Sequence, residues 1–230
     1  MINNLIDKRE RHIKEYLEFN KVEEYPFNLN HIIQWSNNLA ENNLLKGQKL
    51  RILELGTKRS KESVPTNKKK LFQHIKNLEY VMTDYQEGID VDVVCDLHKT
   101  DKVFQDETFD LIISFSTFEH LKYPQLCSHN LMKLLKIGGR IIIQTHQTFP
   151  LHGYKYDYFR FSREALKAIF SQKMNFKTVT SYFTNTCAIV PHIDYGVWND
   201  VAESYLNVVY IGEKIDKTPV HYIYDIDNEN

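Results

Sequence analysis

Cysteine is scarce. The 230 residues hold three, Cys95, Cys127 and Cys187, far apart and in no Cys-x-x-Cys pattern. Such a set excludes a disulfide framework and a thiolate zinc site, and reads as small buried residues in a reducing compartment. Neither sign of charge prevails: 29 Lys and Arg face 30 Asp and Glu, a formal net charge of −1. With no basic field to gather nucleic acid or anionic lipid, neither is expected as a partner. No apolar run reaches the roughly 18 residues of a membrane span. The first residues, Met1 to Arg11, lack the apolar segment of a signal peptide, so a cytoplasmic protein is expected. Glycine and proline are few, at 8 and 6, and no repeat or low-complexity linker divides the chain. A Gly-x-Gly-x-x-Gly loop, which a dinucleotide pyrophosphate would need, is also missing.

What is present suits one sizeable core: 42% apolar and 26% charged residues. Residues 4–19 read as a charged amphipathic helix, and 29–44 as a second, striped by Ile32, Ile33, Trp35 and Leu39. Short apolar runs follow at 51–55, 80–84, 91–96, 109–114 and 140–145, each with the look of a buried strand. Helices are expected about 71–75, across 124–136 with a stop at Gly138-Gly139, and from Ser162 onward. Residues 175–183 and 206–212 read as closing strands, and the tail beyond 214 as polar and ragged. The expected plan is an N-terminal helical lid over 1–46, a binding domain over 47–214 and a polar tail over 215–230. Strands alternating with helices predict an α/β fold, a mostly parallel Rossmann-like sheet covered on both faces.

Ligands of such sheets lie at the carboxyl ends of the strands. Glu54, Gly56 and Thr57 end the first strand, Asp84 and Tyr85 the second, Asp96 and Leu97 the third, Ser114 and Phe115 the fourth. Gly56 allows a tight turn and a close approach of backbone to ligand. Asp84 can accept from both hydroxyls of a ribose, and Asp96 from an exocyclic amine such as adenine's. Either carboxylate could instead be a helix N-cap. The loop Gly56-Thr57-Lys58-Arg59 carries bulk where a pyrophosphate needs bare backbone, which suits a nucleoside without phosphate better than a dinucleotide.

In this order the pieces resemble the class I S-adenosylmethionine-dependent methyltransferases, in particular a bacterial subgroup associated with cell-surface polysaccharide biosynthesis. The matching segments are Ile52–Gly56, Thr83–Tyr85, Gly88–His98, Phe109–Ser114 leading to Phe118-Glu119-His120-Leu121, and Leu134–Ile143. The most distinctive is Leu151–Ser162. Where most such relatives carry a second glycine in the first loop, this chain has Lys58. The resemblance implies a seven-stranded sheet with its last strand antiparallel, S-adenosylmethionine as cofactor and S-adenosylhomocysteine as product. It puts Gly56 at the methionine end, Asp84 at the ribose, and Asp96 with Leu97 at the adenine.

The expected acceptor is a small molecule, a sugar or nucleotide sugar of capsule-type polysaccharide synthesis, methylated on oxygen. The alternatives are N-methylation of a small metabolite, or a non-catalytic binding subunit. A sugar hydroxyl benefits from a base, and histidine titrates in the right range. His146, directly after the fifth strand, and His152 are the candidates; the alternative is that both only shape the loop. Tyr154, Tyr156, Tyr158 and Phe161 could line an acceptor pocket by stacking, or form an apolar plug over the sheet. Asp157 and Arg160 fit an ion pair that either pins their loop or contacts the acceptor, and Asp194, Tyr195 and Trp198 could extend the wall. No metal is expected: the spacing of His146 and His152 is not helical and no adjacent acidic cluster completes a site. A homodimer is compatible with this reading. A nicotinamide reductase is disfavoured, because the Tyr210 and Lys214 pair that mimics its Tyr-x-x-x-Lys motif falls at the last strand.

Overall fold

The computed structural model describes residues 11, 29–59, 64–153, 155–189 and 202–224. Seven strands form one sheet: β1 (Leu50–Leu55), β2 (Leu78–Asp84), β3 (Val93–Val94), β4 (Phe109–Phe115), β5 (Leu135–His146), β6 (Phe176–Ile189) and β7 (Ala202–Lys214). Their order is β3-β2-β1-β4-β5-β7-β6. The pairs from β3 to β5 are parallel, and β7 runs antiparallel to both β5 and β6. The Rossmann-like arrangement expected from the sequence is therefore present. Strand order reverses direction between β1 and β4, which opens a crevice at their carboxyl ends.

The central strands are buried on both faces, as their near-continuous apolar runs require. Six residues of β4, Phe109 to Ser114, are buried, and so are Ile141, Ile142 and Ile143 of β5. Each fully buried Leu or Ile contributes about 1.5–3 kcal/mol. One face packs on α2 (Pro124–Leu134) and α3 (Arg163–Ile169), through Leu131, Leu134, Leu166 and Phe170. The other packs on α1 (Asn30–Leu45) through Ile32 and Ala40. Proline at the first turn starts α2 without losing a helical hydrogen bond. At α3, the Ser162 hydroxyl accepts from the Ala165 N–H, and Glu164 lies in the positive first turn.

Several boundaries differ from expectation. The stretch at 71–75 forms only a 3-10 turn, Lys69–Phe72, and the third strand shrinks to two residues. The second expected helix is present as α1, and it contributes no residue to the cleft described below among those described. The first, residues 4–19, lies outside the described residues apart from helical Arg11. α2 ends at Leu134, four residues before the glycines, because Leu135 already pairs with Phe109 in the sheet. Gly139 serves strand crossing instead: a Cβ there would lie 2.8 Å from the Lys136 carbonyl. The chain after β7 is anchored, not ragged, as far as residue 224. Tyr222 donates to the Ile169 carbonyl at 2.9 Å, Asn175 donates to that of Lys217, and a ring nitrogen of His129 meets Pro219 O.

Candidate active site

A cleft of about 590 Å³ lies at the carboxyl ends of β1 to β4. One end is built by Gly56, Asp84, Tyr85, Asp96 and Leu97. Gly56 adopts φ +68°, and a Cβ there would fall 2.1 Å from the Thr117 hydroxyl, so only glycine fits this turn. The loop it starts is tied to the chain after β2. Thr57 donates to the Asp90 carbonyl at 2.6 Å, and Arg59 grips the Asp90 carboxylate through two nitrogens at 2.8 and 3.1 Å. Lys58 turns aside: its Nζ donates to Gln86, while its backbone N–H donates to Asp84 Oδ2 at 3.1 Å. Gln86 N–H donates to Asp84 Oδ1 at 3.2 Å. Each Asp84 oxygen thus keeps a lone pair for a ligand.

Asp96 is an N-cap after all. Its Oδ1 accepts from the backbone N–H and the imidazole Nδ1 of His98, and Lys99 Nζ stands 3.7 Å from Oδ2. Burial alone would raise its pKa, but the His98 hydrogen bonds outweigh it and hold the carboxyl below its ordinary value. Capping and ligand binding coexist, because the residue also lines the cleft and Oδ2 is free of hydrogen bonds from His98.

The other end of the cleft is lined by His120, Gly153, Tyr156 and Tyr158. Behind it sits Glu119, its carboxylate fully buried. Glu119 Oε2 accepts from the Thr145 hydroxyl at 2.7 Å. Around Oε1 stand three imidazoles: His146 Nε2 at 3.0 Å, His120 Nε2 at 3.8 Å and His152 Nε2 at 3.8 Å. The His146 nitrogen is close enough for an ion pair but poorly aligned, so Oε1 lacks a hydrogen bond of good geometry. Burial pushes the Glu119 pKa up, yet His146 and Thr145 more than offset it and the net shift is downward.

The aromatic segment is pinned on this acid. The backbone N–H groups of Tyr158 and Phe159 both donate to the Glu119 carbonyl, and Phe161 N–H donates to that of His146. Arg160 donates twice to Asp157, at 2.6 and 2.8 Å, and also to the Phe149, Pro150 and Phe159 carbonyls. The Arg160 hydrogen bonds hold the Asp157 pKa far below its usual range.

Residues 89–222, more than half of the chain, match the model of a family described as a methyltransferase domain. The chain belongs to that methyltransferase family. No curated protein matches the methyltransferase by sequence. Among solved structures it is similar to an S-adenosylmethionine-dependent methyltransferase from Archaeoglobus fulgidus, with TM-score 0.54 and 15% identity, over 78% of this chain and 94% of that one. It is also similar to the 1,6-didemethyltoxoflavin-N1-methyltransferase of Burkholderia thailandensis, with TM-score 0.51 and 14% identity, over 93% and 90% of the chains. A third, the carbon methyltransferase CurJ, gives TM-score 0.47 at 16% identity over 73% of this chain. The methyltransferase spans about half of that protein's length, 49%. The first two likenesses place it in the S-adenosylmethionine-dependent methyltransferase fold.

The residues singled out in the sequence fall into three sets. Gly56, Asp84, Tyr85, Asp96, Leu97, Tyr156 and Tyr158 converge on the cleft. Glu54, Thr57, Ser114 and Phe115 lie below or beside it. Glu54 is buried and accepts from the Lys68 N–H and the Tyr80 hydroxyl, and Ser114 is fully buried. Asp157 and Arg160 close their own loop, as the pinning alternative had it, and neither lines the cleft. His146 does not face the acceptor side. It is buried, stacked on Phe149 at 4.0 Å, with Nδ1 3.0 Å from Asn207 Oδ1. His152 is partly exposed and stands against His120. Tyr154, Asp194, Tyr195 and Trp198 lie outside the described residues. The Tyr210 and Lys214 pair is buried elsewhere, donating to the Phe170 and Leu135 carbonyls. Sequence reasoning passed over Glu119 as a site residue; its signal was the Glu-His pair just after a buried strand.

Proposed function

We propose that the chain transfers the methyl group of S-adenosylmethionine to a hydroxyl of a small acceptor, a sugar or nucleotide sugar of surface polysaccharide synthesis, leaving S-adenosylhomocysteine. The observation that carries this is the single cleft joining two unlike ends. Asp84 and Asp96 stand at adjacent strand ends beside the Gly56 turn, and the same cleft runs on to His120, Tyr156 and Tyr158.

The residues fit the cofactor. Asp84 and Asp96 each have acceptor capacity for ribose hydroxyls and an adenine amine, Leu97 offers an apolar surface to the base, and the bare Gly56 backbone leaves room for the methionine tail. When bound, the sulfonium supplies a methyl group already activated by positive charge. What remains for the chain is alignment of the acceptor, a positioning effect worth up to about 7–11 kcal/mol, and removal of its proton. Tyr156 and Tyr158 give flat faces of the kind that pack on sugar rings. The acceptor's proton leaves to the Glu119 and histidine cluster at that end. His146 acts there as a positioning residue, holding Glu119 from the buried side.

Calorimetry with S-adenosylmethionine and with NADPH tests the cofactor. The former should bind and the latter should not. Incubation with S-adenosylmethionine and a panel of nucleotide sugars and amines, read by mass spectrometry, should show a gain of one methylene on a sugar. Methylation confined to amines would replace the oxygen acceptor with nitrogen, and binding of NADPH alone would remove methyl transfer altogether.

A further inference from the structure

We propose that Glu119, His120 and His152 form a binding site for one divalent transition metal ion of the zinc class, contrary to the expectation of no metal. One ligand atom from each of the three residues lies within 4.8 Å of the others.

The hydrogen bonds on the far side of each ring fix which nitrogen is free. His120 Nδ1 is 2.8 Å from the Tyr156 carbonyl and His152 Nδ1 is 3.2 Å from that of Pro150. A carbonyl oxygen can only accept, so each Nδ1 carries the hydrogen, which leaves Nε2 of each ring as the position that can ligate an ion. Both Nε2 atoms stand 3.8 Å from Glu119 Oε1. That is too long for a hydrogen bond. Oε1 is itself buried and lacks a hydrogen bond of good geometry. Two imidazole nitrogens and one carboxylate oxygen therefore converge on the cleft side, with His146 against that oxygen from the buried side, an arrangement that an ion completes.

The dimensions suit zinc. At bond lengths of about 2.0–2.2 Å, tetrahedral ligand atoms stand about 3.3–3.6 Å apart. Rotation of the two partly exposed imidazoles closes the remaining gap. Two nitrogens and one oxygen select a borderline ion over magnesium or calcium, which prefer oxygen alone. The outer partners are in place: carbonyls on both Nδ1 atoms, the Thr145 hydroxyl on Glu119 Oε2, and Asp157 Oδ2 at 3.6 Å from His152 Nδ1. Because His120 lines the cleft, the fourth position of the ion borders it and is open to water or an acceptor oxygen. A water bound there would have a pKa near 7 and could serve as the base. Only that use of the ion rests on the methyl-transfer reading.

The test uses the full chain without an affinity tag, stripped with a chelator. Titration with zinc, by calorimetry, should show one equivalent bound, and cobalt should give the visible absorption of a tetrahedral site. Magnesium should give no binding. His120→Ala and His152→Ala should each weaken zinc binding by at least roughly 100-fold, the upper end of what loss of an outer partner costs. His74→Ala, remote and bonded to Asn37, should not change it. Circular dichroism on each variant confirms folding; Glu119 itself is left intact because it is buried. No zinc binding, or wild-type affinity retained in both histidine variants, overturns the site. S-adenosylhomocysteine binding, measured on the same samples, reports separately on the methyl-transfer reading.

Discussion

Two buried glutamates flank the cleft, Glu54 in β1 and Glu119 just past β4, and their carboxyls shift in opposite directions. Burial pushes both up. Glu54 is met by the Tyr80 hydroxyl, the Lys68 N–H and, farther off, the Lys68 charge, and these do not overcome its desolvation. Glu119 has His146 against it and the Thr145 hydroxyl on its other oxygen, and these do. Desolvation is common to the two sites; a close partner able to carry positive charge decides the sign. The same contrast separates the two ends of the cleft. The Gly56 and Asp84 end is held by backbone turns and short-range hydrogen bonds. The Glu119 end is a charged cluster that joins residues 119–120 to residues 145–152 of the chain.

Four predictions press on this contrast. The largest effect is expected at Glu119. Glu119→Ala leaves His146 and Thr145 facing an empty buried site and should cost about 3–5 kcal/mol in urea unfolding. A loss below about 1 kcal/mol would mean that the cluster does not organise its end of the cleft. Next comes Asp84→Ala. Removing a charged acceptor for ribose should weaken S-adenosylmethionine about 10–100-fold by calorimetry while leaving stability nearly unchanged. Unaltered affinity would put the nucleoside elsewhere.

The third is a pH dependence. Glu119 is depressed below the ordinary glutamate value of 4.5, so its stabilising contribution is present above 4.5 and lost as pH falls through the lower, folded value. Glu119→Gln should flatten this acid limb of the stability profile. The smallest effect is at Glu54, whose pKa is raised. Its contribution is complete below 4.5 and is lost as pH rises through the folded value. Glu54→Gln should therefore change stability by less than about 1 kcal/mol at pH 7, and should gain on the wild type as pH rises from 4.5. A large loss there would show that Glu54 has a charged partner the Tyr80 and Lys68 contacts do not account for.

Much of the fold was legible because the signals are local. Apolar runs of strand length, a glycine after β1 and acids after β2 and β3 can be read within a few residues of each other. Element ends were less so. The Gly138-Gly139 pair looks like a helix stop, but pairing of Leu135 with Phe109 takes the chain into the sheet first. The acceptor end was least legible. His146 and His152 were visible as histidines near a strand end, yet the orientation of His146 depends on Asn207, 61 residues away in β7, and both stand against Glu119, whose carboxylate accepts from Thr145, 26 residues away.

The order of strands and helices, the balanced charge and the nucleoside-binding acids belong to the sequence, because periodicity and residue type act over short distances. Which histidine is buried, which borders the cleft, and that one carboxylate gathers three of them belong to the tertiary structure. Those facts depend on through-space contacts between segments that only the closed sheet brings together, and no spacing along the chain encodes them.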